Sequence, residues 1–195
     1  GPWLHGSNLG SVIDGRDFGP ESSGKSINIQ ETIKKWFDYW LKNEENGILK
    51  EAPVHIFVLG DNYWRAEQEW PPSRAVETKF YIHGGQHKNA GILSTDKPKE
   101  GAAPQIYVYD PENPLPSSIK DDCGRTIFAD PTMLEERSDV LVYTSPVLEE
   151  DLEVTGLVKF ILYASTDVED TDFFCRICDV DENGYAFPLL SGIVR

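Results

Sequence analysis

Cysteine and methionine are scarce in this sequence: three cysteines (Cys123, Cys175 and Cys178) and a single methionine among 195 residues. So small and odd a number excludes a disulfide framework and favours a reducing, cytosolic setting. Basic residues are also in deficit. Eighteen Lys and Arg stand against 33 Asp and Glu, a formal charge of -15, which repels phosphate backbones and anionic lipid surfaces and removes nucleic acid and membranes as partners. No run approaches the roughly 18 apolar residues of a membrane span, and no stretch reads as a basic-then-apolar signal peptide. The sequence also has no G-x-S-x-G nucleophile elbow, no P-loop, no dinucleotide-binding glycine fingerprint and no H-E-x-x-H zinc motif.

What is present divides into two textures. Residues 1–27 are rich in Gly, Ser and Pro and predict a long irregular loop, the kind of segment that carries function. Then Ile29, Ile33, Trp36, Phe37, Trp40 and Leu41 recur at three- and four-residue spacing, which predicts an amphipathic helix with a heavy aromatic face to bury. Asn28 with Glu31 resembles a capping pair, and Gly47 falls where a C-terminal stop is expected. Beyond a composition break between about residues 50 and 72 the pattern turns to β. Runs at 54–60, 79–83, 105–110, 139–144, 152–165, 172–180 and 185–190, with the closing Gly-Ile-Val-Arg, are separated by Pro, Asp, Asn and Gly clusters without intervening helices. That order predicts an antiparallel sandwich or jelly roll. Asn183-Gly184 between two such runs predicts a two-residue hairpin turn.

Most candidate chemistry has a plainer account. Asp179, Asp181, Asn183 and Gly184 open like a calcium loop, but Leu190 occupies the position of the bidentate Glu, so a hairpin turn is preferred. Cys175 and Cys178 have CxxC spacing, yet residues three apart on a strand point to opposite faces and are expected to be buried small hydrophobes. His83 and His87 bracket Gly84-Gly85 without further Cys or His partners, and His55 sits in an apolar run. The acidic clusters at 148–153 and 167–172, with Asp121-Asp122, are expected to be solvated turns. Trp64, Arg65, Glu67, Glu69 and Trp70 predict either an aromatic-lined groove or an aromatic hinge with an Arg-carboxylate pair. No metal or cofactor is expected.

Several motifs taken together are more specific. The order "GPWLHG", "DFGPESS", "ETIKKWFDYWLKNEENGI", "APVHIFVLGDNYWRAEQEWPPS", "YVYDPENPLPS", "RSDVLVYTSPVLEEDLEVTG" and "STDVEDTDFFCRICDVDENGYAFPLLSGIVR" runs through nearly the whole chain. It resembles the cocaine-esterase-like serine hydrolases, a family that also takes in α-amino-acid ester hydrolases, glutaryl-cephalosporin acylases and X-Pro dipeptidyl-peptidases. The resemblance implies the last loop and helix of an α/β-hydrolase domain (1–53) followed by a jelly-roll, galactose-binding-like β-sandwich (54–195), the boundary falling within 50–72.

The same resemblance implies that His5 is the base of a Ser-His-Asp triad, since it occupies the histidine of the Gly-Pro-Trp-x-His segment. Pro2 and Trp3 would form a rigid loop that aims it, and Asp38 and Leu41 would serve packing. The triad order of this fold places the serine and aspartate before Gly1. The expectation is therefore a C-terminal portion of a hydrolase acting on a small-molecule ester or amide, with the sandwich cut short after Arg195 and the isolated chain inactive. The competing expectation is a non-catalytic jelly-roll module for binding or structure. Apolar surface and open strand edges left unpartnered by the truncation would drive dimerisation or strand exchange.

Overall fold

The computed structural model describes residues 1–3, 5, 8–85, 89–116, 118–120, 126–128 and 131–195; Cys123 and His87 lie outside them. The chain divides into two units, Gly1–Ala75 with Val154–Leu157, and Val76–Glu153 with Val158–Arg195. Strands predominate over helices in the described residues, so the chain is mainly β.

In the first unit, the stretch expected to be irregular contains a small hairpin, β1 (Val12–Ile13) and β2 (Arg16–Asp17). Its two central residues, Asp14 at φ 46° and Gly15 at φ 80°, are both left-handed, the geometry of a type I′ turn that Asp-Gly satisfies. A 3₁₀ turn, Pro20–Ser22, follows, and then helix α1 (Ile29–Lys42). Asn28 does precede the helix, but at φ 51° and without a side-chain cap; its carbonyl accepts the backbone N–H groups of Glu31 and Thr32 instead. Asn43, at φ 59°, ends the helix. Gly47 opens the next 3₁₀ turn, Ile48–Lys50, rather than closing the helix.

The predicted apolar stripe lies on one side of α1, yet it is uncovered within this chain: Trp36, Phe37, Trp40 and Leu41 are all exposed. Asp38 is the buried residue of the helix, held between Lys34 Nζ at 2.5 Å and Lys42 Nζ at 2.6 Å. Strands β3 (Val54–Val58) and β4 (Tyr63–Glu67) then form an antiparallel hairpin in which Phe57 faces Trp64. Phe18 and Phe57 are the buried hydrophobic residues described in this unit.

In the second unit, β5 (Tyr81–Gly84), β6 (Ala90–Ser94) and, later in the chain, β9 (Val142–Thr144) make a three-stranded sheet. The β6–β9 pairing is parallel, which departs from the all-antiparallel expectation. Between them come the short pair β7 (Ser118–Lys120) and β8 (Thr126–Phe128) and a second, five-residue helix, α2 (Pro131–Glu135). The longest ladder joins β10 (Phe173–Val180) to β11 (Ala186–Val194). Its register slips where Cys178 faces Pro188 and Leu189 is left without a partner; a proline has no N–H to give the ladder, so it sits at the bulge. Leu134 of α2 with Ala186 and Phe187 of β11 are buried, and Thr132 Oγ1 accepts the Ala186 N–H at 3.1 Å.

The β10–β11 turn also differs from the two-residue expectation. Asn183 does not have positive φ; Gly184 alone does, at φ 83°. Gly184 N–H closes on the Asp181 carbonyl at 3.0 Å, and Asp181 N–H donates to the Tyr185 carbonyl, so the loop has three residues, a type I turn with a left-handed glycine after it. The runs 105–110 and 152–165, expected as strands, join no described ladder.

Candidate active-site loop

His5 occupies an exposed turn near the start of the first unit. The residues on either side of it are fastened to one place. On the N-terminal side, Trp3 donates its indole Nε1–H to the Ser22 carbonyl at 2.7 Å, and its backbone N–H closes a tight turn on the Gly1 carbonyl at 2.9 Å. On the C-terminal side, Gly24 N–H donates to the Asn8 carbonyl at 2.7 Å and Ser23 Oγ donates to the Leu9 carbonyl at 3.0 Å. Residues 22–24 therefore hold both flanks of the histidine loop.

The anchor is itself built to be stiff. Pro20 leads the 3₁₀ turn, where a fixed φ and a missing N–H cost nothing. Ser22, fully buried, donates Oγ–H back to the Gly19 carbonyl at 2.7 Å. Ser26 Oγ bonds the carbonyls of Glu21 and Ser23. Asp17 Oδ1 accepts the Gly19 N–H at 2.9 Å, and that bond, followed by one from Ser11, holds its carboxyl below the usual range.

Trp64 reaches this anchor from β4. Its Nε1–H donates to the Glu21 carbonyl at 2.7 Å, the residue next to the one that Trp3 bonds. The Trp3 and Trp64 rings lie 5.6 Å apart at 45°, and Phe57 meets Trp64 edge-on at 5.3 Å. Thus Trp64, read from the sequence as part of a groove or hinge, is half-buried and packs against Trp3 and Phe57. The neighbouring Glu67 is buried and accepts from Arg65 Nε at 2.7 Å and from the Arg74 guanidinium, whose charge and hydrogen bonds hold its carboxyl low. The expected Arg-carboxylate pair is present, with two arginines rather than one.

The remaining candidates belong elsewhere. His83, Cys175 and Cys178 are in the second unit. His83 Nε2 lies 2.9 Å from the Asp96 carbonyl. Both cysteines are half-buried free thiols, and burial pushes each above its ordinary pKa, which disfavours the thiolate a metal would need. Asp181 Oδ1 accepts the N–H groups of Asn183 and Tyr185 at 2.8 and 3.0 Å and so caps its own turn. Among the described residues no three His, Cys, Asp or Glu side chains are grouped to hold a metal ion, and no helix is long and apolar enough to cross a membrane.

Comparison with known proteins gives this arrangement its context. Residues 46–195 match the family described as the X-Pro dipeptidyl-peptidase C-terminal non-catalytic domain. The chain belongs to that family. A cocaine esterase of Rhodococcus sp. (strain MB1 Bresler) is 35% identical over 202 residues, covering 100% of this chain and 35% of the relative. That likeness includes the His5 loop and α1, which precede the family match. A Mycobacterium bovis protein provisionally named a serine esterase is 28% identical, covering 84% of the chain and 26% of its own length. A Bacillus cereus protein provisionally named an Xaa-Pro dipeptidyl-peptidase is 28% identical, covering 85% and 24%. The chain thus spans about a quarter to a third of the length of these curated relatives. The resemblance drawn from the motifs holds: the chain matches the C-terminal part of cocaine-esterase-like proteins.

Proposed function

We propose that this chain is the C-terminal portion of a serine hydrolase that cleaves ester or amide bonds in small molecules or X-Pro peptides. In this reading, residues 1–53 complete an α/β-hydrolase domain, residues 54–195 belong to a jelly-roll domain, and His5 is the triad base. The serine and the acid come from polypeptide preceding Gly1, as the order of the triad in that fold requires. His5 takes the serine proton during attack on the carbonyl and returns it to the leaving group, while the acid fixes its tautomer.

The observation that carries this reading is the double anchoring of the His5 loop on residues 22–24. An exposed histidine on a free loop does not serve as a general base, because proton transfer needs the imidazole within hydrogen-bond reach of one particular oxygen. Loop anchoring and the likeness of the whole chain to about a third of an esterase therefore support one another. The isolated chain is inactive: with neither nucleophile nor oxyanion hole, His5 has nothing to activate.

Hydrolysis of p-nitrophenyl acetate tests this. The chain alone is expected to show no turnover that His5→Ala removes, whereas the full-length polypeptide hydrolyses the ester and loses about 10³-fold or more in kcat with His5→Ala. Unchanged turnover in that full-length variant would refute the assignment. The family's description of residues 46–195 as non-catalytic favours a second, compatible role for the β-rich part, that of a binding or structural module.

A further inference from the structure

We infer that Trp64 is a positioning residue for His5, so that the part of the chain matched as non-catalytic takes part in aligning the catalytic base. The inference rests on the reading of His5 as that base. Its own evidence is the packing around Trp3. Two residues span at most about 7 Å of chain, so wherever Trp3 is held, the His5 Cα is confined to a small region beside it. The Trp3 side chain is held by the Ser22 carbonyl, which accepts its indole N–H, and by the ring of Trp64 at 5.6 Å.

Trp64 is in turn fixed from below and from the side. Phe57, directly opposite it in the β3–β4 ladder and buried, sets the ring's tilt, and the Glu21 carbonyl accepts its N–H at 2.7 Å. The two indoles thereby grip consecutive carbonyls, Glu21 and Ser22, of the turn that anchors the histidine loop. There is no slack between them and the start of the loop: a Cβ on Gly1 would lie 2.6 Å from the Trp3 ring and 2.8 Å from that of Trp64. A side chain at residue 1 would press on both rings. Removing the Trp64 ring opens a space into which Trp3 can tilt, and the histidine moves with it. A displacement of about 1 Å in a reacting group is enough to cost about 10²-fold in rate.

The test uses the full-length hydrolase polypeptide, with each variant's functional sites counted by titration with a fluorophosphonate that labels the serine. Trp64→Ala is expected to lower kcat per titrated site by about 10²-fold with KM changed less than twofold, and to displace the acid limb of the kcat/KM pH profile that reports the histidine. Trp64→Phe, which keeps a ring against Trp3 and loses the bond to Glu21, is expected to fall between Trp64→Ala and the unsubstituted enzyme. His5→Gln is run alongside. If His5→Gln is inactive while Trp64→Ala keeps its kcat per site and its acid limb, the positioning role is wrong and the catalytic reading survives. Loss of melting temperature alone in Trp64→Ala overturns the positioning role in the same way. If His5→Gln retains turnover, both fall.

Discussion

Gly24 and Asn8 touch backbone to backbone: the Gly24 N–H donates to the Asn8 carbonyl at 2.7 Å, and a Cβ added to residue 24 would sit 2.8 Å from that same oxygen and 2.9 Å from Ile29 Cγ2. The contact fastens the C-terminal flank of the His5 loop to the start of α1, and it leaves no room for a side chain. Gly24→Ala is therefore expected to push the two strands of backbone apart and cost about 1–3 kcal/mol, the usual range for overpacking a close contact. Denaturant melts followed by tryptophan fluorescence would show it, and a variant as stable as the parent would mean that the contact yields easily.

Asp38 predicts how α1 responds to pH. Hydrogen bonds from Lys34 and then Lys42 hold its carboxyl below the usual range, and the same bonds raise both lysines. A depressed carboxyl contributes stability above its unfolded pKa of about 3.9, and that contribution is lost as pH falls through the lower folded value. The raised lysines contribute below about pH 10.4 and lose it as pH rises through their folded values. Helicity at 222 nm should fall at the acid end more steeply in the parent than in Asp38→Asn. Because both lysine side chains are more than half exposed, added salt should shrink the difference.

Legibility of the fold in the sequence followed periodicity. The α1 stripe and the runs that became β3, β9, β10 and β11 were readable because their spacing is set by their own residues. The runs 105–110 and 152–165 alternate just as well, yet a strand also needs a neighbour to complete its hydrogen bonds, and alternation says nothing about where that neighbour is. Turn chemistry misleads in both directions. Asp14-Gly15 carries a type I′ signal inside a stretch whose composition predicts loop, while Asn183-Gly184, with the same signal, is overridden by the Asp181 side chain capping a longer turn. His5 is legible through its motif. The clamp around it is not, since its acceptors are the carbonyls of Asn8, Leu9, Glu21 and Ser22, and every residue type has a carbonyl.

The cysteines offer a chemical check. Burial comes first in raising Cys178, and the neighbouring charges of Glu135 and Cys175 add to it against a smaller opposing effect of Arg176; Cys175 is raised by burial alone. At pH 7 both should be alkylated by iodoacetamide more slowly than a free cysteine in a peptide. Their rates should rise with pH later than the usual thiol at about 8.5. Peptide mass mapping of a time course would resolve the two sites, and rapid labelling of either at neutral pH would show a thiolate that this environment does not support.

The uncovered face of α1 makes a last prediction about the chain in solution. Trp36, Phe37, Trp40 and Leu41 are 48%, 53%, 55% and 74% exposed, side by side on one stripe. Fully burying a large apolar side chain gains about 1.5–3 kcal/mol, so covering the stripe on two chains at once gives a gain comparable with the cost of about 4–15 kcal/mol of bringing them together. The isolated chain is expected to self-associate at micromolar concentration by light scattering and to brighten a hydrophobic dye. The pair Trp40→Lys and Leu41→Lys should abolish both effects while leaving the helix, whose stripe they break but whose backbone bonds they do not touch. A monodisperse, dye-silent parent chain would show that the stripe does not drive association.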